Sequence, residues 1–117
     1  MGSERVTLST HVLDTSIGRP AAAVAVRLSR HEGDAWVEVF RGTTNDDGRV
    51  SSLLPEDITA GAGAYQLTFD VAAYFQARRV ESFYSQVAID FVIRDAGAHY
   101  HVPLLVSPYG YSTYRGS

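Results

Sequence analysis

Apolar residues recur at every second position along most of this chain of 117 residues. That spacing belongs to half-buried β-strands and constrains the fold more than any other feature. In a run from Arg5 to Leu13, Val6, Leu8 and Val12 fall on one side while Thr7, Ser9 and His11 fall on the other. Val24, Val26 and Leu28 share a face, as do Tyr65, Leu67 and Phe69, and again Val87, Ile89, Phe91 and Ile93. The stretch from Trp36 to Phe40 is rich in aromatic and β-branched residues, and two final runs cover His99 to Val106 and Tyr111 to Tyr114. Turn chemistry separates these runs: Gly18-Arg19-Pro20, Asn45-Asp46-Asp47-Gly48, Gly61-Ala62-Gly63 and Ser107-Pro108-Tyr109-Gly110. One segment breaks the alternation. Val71 to Arg79, with Ala72, Ala73, Phe75 and Ala77, suits a short helix capped by Asp70. The pattern predicts an all-β sandwich of two antiparallel sheets with one short helix, in a single domain spanning 1–117.

Composition narrows the chemistry. The chain has no Cys, which removes thiol nucleophiles, disulfides and Cys-ligated zinc. It has no Lys either, since all 10 cationic side chains are Arg, so Schiff-base chemistry and a Lys general base are excluded. The formal charge of −3 comes without a basic stripe, which argues against nucleic acid as a partner. No apolar run reaches the ~18 residues of a membrane-spanning helix. Met1-Gly2-Ser3-Glu4-Arg5 lacks the apolar core of a signal peptide, and the expected location is the cytoplasm.

His, Arg, Tyr, hydroxyls and carboxylates remain for chemistry. Period two puts His99 and His101 on one face, opposite Tyr100 and Val102. Such a strand either shows its imidazoles to solvent or lines a polar site. His11 projects likewise, with Ser9 and Thr7. Arg49 follows the Asn45–Gly48 turn directly; it is either a solvated strand start or an anion clamp, whose planar fork suits carbonyl oxygens and oxyanions. A Tyr-rich stretch with Tyr109, Tyr111 and Tyr114 runs on to Arg115-Gly116-Ser117, which reads as a plain last strand or as an ordered end offering its carboxylate. His-x-His is also a metal spacing, so His11, His99 and His101 could hold zinc in a hydrolase, although no carboxylate stands out to orient the imidazoles.

Five segments together resemble one family over essentially the whole chain, the transthyretin-related 5-hydroxyisourate hydrolases. They are Leu8-Ser9-Thr10-His11-Val12-Leu13-Asp14 with Gly18 and Pro20-Ala21; Thr44-Asn45-Asp46-Asp47-Gly48-Arg49; Asp70-Val71-Ala72-Ala73-Tyr74-Phe75; Tyr100-His101-Val102-Pro103-Leu104-Leu105-Val106-Ser107-Pro108; and Tyr111-Ser112-Thr113-Tyr114-Arg115-Gly116-Ser117. Transthyretin itself, a hormone carrier, shares the fold and a Ser-Pro-Tyr-x-Tyr-Ser-Thr segment like 107–113. It lacks the His-rich strand and the terminal motif.

The resemblance implies a transthyretin-like sandwich of two four-stranded antiparallel sheets. It implies a homotetramer, a dimer of dimers, with active sites in clefts between dimers, and no cofactor or metal. Catalytic roles fall to His11, Arg49, His101 and Ser117, and substrate contacts to His11, Arg49, Tyr114 and Arg115. The implied reaction is attack of water on the C6 carbonyl of 5-hydroxyisourate and cleavage of the C6–N1 bond. The product is 2-oxo-4-hydroxy-4-carboxy-5-ureidoimidazoline, in urate breakdown. His101 and His11 would activate water and deliver a proton to the leaving nitrogen, their order open, while Arg49 holds the ring and the developing oxyanion. The readings to be weighed against it are a His-ligated zinc hydrolase and a transthyretin-like carrier of a small aromatic ligand.

Overall fold

The computed structural model describes residues 7–54 and 61–116; Met1 to Val6, residues 55–60 and Ser117 lie outside the described residues. Among the described residues ten strands and one helix follow in the order β1 (Thr7–Asp14), β2 (Arg19–Pro20), β3 (Ala25–Glu32), β4 (Ala35–Thr43), β5 (Arg49–Val50), β6 (Gly63–Phe69), α1 (Val71–Ala77), β7 (Val87–Ile93), β8 (His99–His101), β9 (Leu104–Ser107) and β10 (Gly110–Thr113). They form two sheets facing each other across an apolar core, as the alternation predicts.

One sheet is the expected antiparallel set of four strands, β4-β3-β6-β7. It buries Val26, Leu28, Tyr65, Leu67, Phe69 and Ile93 against the other sheet. The second sheet is also four ribbons wide, ordered β10-β9-β1-β2, but its make-up differs from the expectation. The expected strand from His99 to Val106 is interrupted at Val102-Pro103 into β8 and β9, because Pro103 has no N–H to give to a ladder. Both halves run parallel to β1, whereas β2, β5 and β10 pair antiparallel.

Every second residue of β1 is buried: Leu8, Thr10, Val12 and Asp14. Thr10 and Asp14 are polar, and each is satisfied inside. The Thr10 hydroxyl donates to the Val102 carbonyl at 2.6 Å. The Asp14 carboxylate accepts from the Tyr74 hydroxyl at 2.8 Å and from the Ser16 backbone N–H at 3.0 Å. Burial, reinforced by the Asp14 hydrogen bond, pushes the Tyr74 phenol up to about 12. This contact ties α1 to the end of β1. The helix starts where the sequence predicts, with the Asp70 carboxylate accepting from the Ala73 N–H at 3.2 Å. It ends at Ala77 rather than Arg79, as Arg79 adopts a left-handed φ of 60°.

Candidate active site

Three adjacent ribbons present one polar face to the outside of the sandwich. β1 lies in the middle and contributes Thr7, Ser9 and His11, the half-exposed to exposed alternates of its buried set. β8 lies on one side, with Thr7 level with His99 and Ser9 level with His101. β5 lies on the other, with Arg49 directly opposite His11. Cross-strand partners share a face with Cβ atoms about 5 Å apart, so His11 and Arg49 are neighbours. His11 is two positions from Ser9, about 7 Å along the strand, which brings all three predicted residues, His11, Arg49 and His101, onto one surface.

The turn before β5 fixes the backbone from which Arg49 projects. The Asn45 side-chain carbonyl accepts from the N–H groups of Asp47 and Arg49 at 2.9 and 3.0 Å. Gly48 closes the turn at φ 73°, and any Cβ there would strike the Val12 carbonyl. Its own carbonyl accepts from the Val12 N–H at 2.7 Å, which fixes the turn to β1. The turn dictates where Arg49 starts.

The imidazoles are held in place as well. The Ser9 hydroxyl lies 2.8 Å from His101 Nδ1 and 3.3 Å from His99 Nε2, and the Thr7 hydroxyl lies 2.6 Å from His99 Nδ1. Burial, then the Arg49 charge, then His99 and His11 hold the His101 pKa below its ordinary value, against a contact with the Ser9 backbone that raises it. Burial and then Arg49 lower His11 too, partly offset by the backbone and charge of Asp47. A lowered pKa leaves an imidazole neutral at physiological pH, the form that can accept a proton. Two neutral imidazoles beside a guanidinium can pair proton transfer with stabilisation of an oxyanion.

The end of the described chain returns to this face. The Gly116 N–H donates to the His101 carbonyl at 2.8 Å, and a Cβ on Gly116 would lie 2.5 Å from His101 Cδ2. Tyr114 and Arg115 take a different position from the three polar residues. They line a cavity of about 340 Å³ with Phe91, Val92, Tyr100 and Val102. The Arg115 guanidinium stacks 4.4 Å from the Tyr100 ring and reaches the His99 carbonyl at 3.4 Å. Ser117, predicted to act with these groups, lies outside the described residues. Among the described residues no three His, Cys, Asp or Glu side chains are grouped as a metal site, and no helix is long and apolar enough to cross a membrane.

Sequence reasoning passed over Ser9 and Thr7 as site residues, although their period-two placement with His11 was the available signal. It had no signal for Gly116 packing on His101.

Comparison with known proteins places the chain in one family. The profile of the HIUase/Transthyretin family matches residues 8–116. A 5-hydroxyisourate hydrolase from Rhizobium meliloti is 49% identical over 94% of this chain and 95% of its own. The structure of Klebsiella pneumoniae 5-hydroxyisourate hydrolase is 42% identical, with a TM-score of 0.82 over 95% of this chain and 99% of the other. Sea bream transthyretin in complex with thyroxine superposes with a TM-score of 0.87, but at 29% identity over 94% of each chain. The backbone therefore fits enzyme and carrier alike, and the higher identity goes with the enzymes.

Proposed function

This chain belongs to the HIUase/Transthyretin family, and on that premise we propose that its His11–Arg49–His101 face is where it hydrolyses 5-hydroxyisourate in urate breakdown. The observation that carries the reading is the meeting of two imidazoles of lowered pKa with one guanidinium on a single face. A water oxygen forms its bond to the ring carbonyl carbon as His101 Nε2 takes the water proton, and the carbonyl pair moves onto oxygen beside Arg49. When the C–N bond breaks, an imidazolium returns a proton to the leaving nitrogen. His11, opposite Arg49, serves the substrate side of that exchange. Losing such acid–base help costs about 10²–10⁴-fold in rate. The mechanism needs no cofactor or metal, and activity is expected to survive a chelator.

Residues 1–117 act as one hydrolase domain, located in the cytoplasm. Tyr114 and Arg115, which line the neighbouring cavity, and Ser117 are assigned to substrate contacts in the assembled enzyme rather than to the His face of a single subunit. Because the His face is half-exposed in one subunit, the working form is a homotetramer in which a second subunit covers it and excludes water. Large side chains left open in one subunit offer surface for subunit contact: Phe83 is 72% exposed, Tyr109 63% and Tyr114 59%. The test is turnover of freshly made 5-hydroxyisourate, followed spectrophotometrically with and without chelator, beside sedimentation of the same sample. Absent turnover in the native protein would leave a carrier; loss in chelator would favour zinc; full activity in a monomer would reject the tetramer.

A further inference from the structure

His101 has an unusual problem for a base. The charged and titratable groups facing it are Arg49 from β5, His11 from β1 and His99 from β8; Arg49 opposes the positive charge it must carry after taking a proton, and His11 and His99 oppose it only when they are themselves protonated. In a Ser-His-Asp arrangement a carboxylate behind the imidazole solves this. Here the group behind His101 is the Ser9 hydroxyl, which itself contacts a second imidazole, His99, backed in turn by the Thr7 hydroxyl.

Hydrogen-bond arithmetic restricts how the chain can be protonated. A hydroxyl has one proton and a neutral imidazole has one N–H. If His101 carries its proton on Nδ1, it donates to Ser9, Ser9 donates to His99 Nε2, and His99 Nδ1–H donates to Thr7. Every link is then made, and His101 Nε2 is left with a free lone pair. When Nε2 takes up the water proton, the imidazolium donates a stronger Nδ1–H bond to Ser9. The polarised Ser9 hydroxyl then leans its proton toward His99. Positive charge spreads along the chain, away from Arg49 and toward the more exposed His99.

The reverse polarity would make the same links but leave a proton on His101 Nε2, where no base could act; we propose that Thr7, His99 and Ser9 are positioning residues behind His101, a neutral chain that runs in the Nδ1–H polarity and shares the charge His101 gains during hydrolysis. The proposal rests on His101 being the base, and it makes no proton leave the site: the proton taken at Nε2 returns to the leaving nitrogen. Arg115, held at the His99 carbonyl, lies at the far end of the chain on the neighbouring backbone.

The test compares wild type with Ser9→Ala, Ser9→Thr, His99→Ala and His101→Ala, measuring kcat, KM and the pH dependence of kcat/KM. A neutral hydrogen bond of ordinary strength corresponds to roughly 3–10-fold in rate. Ser9→Ala is expected to lose that much kcat with KM little changed, and Ser9→Thr to recover it by restoring the hydroxyl. His99→Ala is expected to lose less. In both Ala variants the acid limb of kcat/KM should move to lower pH, since the imidazolium has lost support. Simple charge repulsion between His99 and His101 predicts the opposite, an acid limb moving up in His99→Ala. That upward shift with unchanged kcat would overturn the chain. Imidazole nitrogen NMR gives a second readout: His101 should be the Nδ1–H tautomer in wild type, and finding Nε2–H there would also overturn it. Full activity in His101→Ala would instead remove the base assignment on which the proposal stands.

Discussion

The two faces of β1 are written in the same eight residues and solve opposite problems. Inward, Leu8 and Val12 fill the core while Thr10 and Asp14 are each bound to partners that leave no choice of proton. Among the described residues, no buried side-chain nitrogen or oxygen lacks a hydrogen-bond partner. Outward, Thr7 and Ser9 meet imidazoles, which can donate or accept at either ring nitrogen. A carboxylate locked to Tyr74 holds helix to sheet; a hydroxyl facing an imidazole keeps its proton negotiable. Stability and reactivity are separated by the strand itself, residue by residue.

That separation can be tested from either side. The largest effect belongs to the outward imidazoles: His101→Ala and, separately, His11→Ala should lower kcat by about 10²-fold or more, with a melting temperature close to wild type. A matching collapse in stability would show that the two faces are not independent. Arg49→Ala should follow closely, and Arg49→Lys should fail to restore turnover because an ammonium cannot copy the planar fork; near-normal rates in the Lys variant would reduce Arg49 to a nearby charge. Gly116→Ala comes next, with kcat/KM down roughly tenfold, since displacing a reacting group by about 1 Å can cost up to 10²-fold. Unchanged kinetics there would mean that the His101 ring can yield.

On the inward side, Tyr74→Phe should cost about 1 kcal/mol in denaturant unfolding while leaving kcat untouched. The smallest effect is in pH. His101 must be neutral to act, and its pKa is lowered by burial first and by Arg49 next. The acid limb of kcat/KM should therefore fall below the ordinary imidazole value of about 6.5 and shift upward in Arg49→Gln. An unmoved limb would leave Arg49 without influence on the base.

Local chemistry was legible in the sequence wherever a structure closes on itself within a few residues. Asp70 caps its helix, Asn45 and Gly48 build their turn, and the alternation assigns inner and outer faces. Long-range register was not. Nothing in the order of residues says that Thr7 stands level with His99, a contact spanning 92 positions, or that the two strands run parallel. For that reason His11, Arg49 and His101 were legible mainly through family resemblance, and Ser9 as a bridge between imidazoles was not legible at all. Asp14 was hidden for a related reason. Period two puts it on the core side, but its partner Tyr74 becomes visible only once helix and sheet meet.

Parallel pairing of β1 with β8 and β9 also has a consequence for how the molecule comes into being. Synthesis makes β1 first, yet its parallel neighbours come some ninety positions later. Pairing over that distance must meet a large loop-closure entropy before any contact rewards it, which slows folding. The antiparallel β3-β4 hairpin faces no such wait, as Glu32 already pairs with Ala35. Loop closure therefore predicts that folding begins in the sheet without the catalytic face and finishes in the one that carries it. Until then β1 has an open edge exposed to other chains. The polar face is assembled last, and any nascent chain stalled before His99 would hold much of the scaffold and none of the completed site.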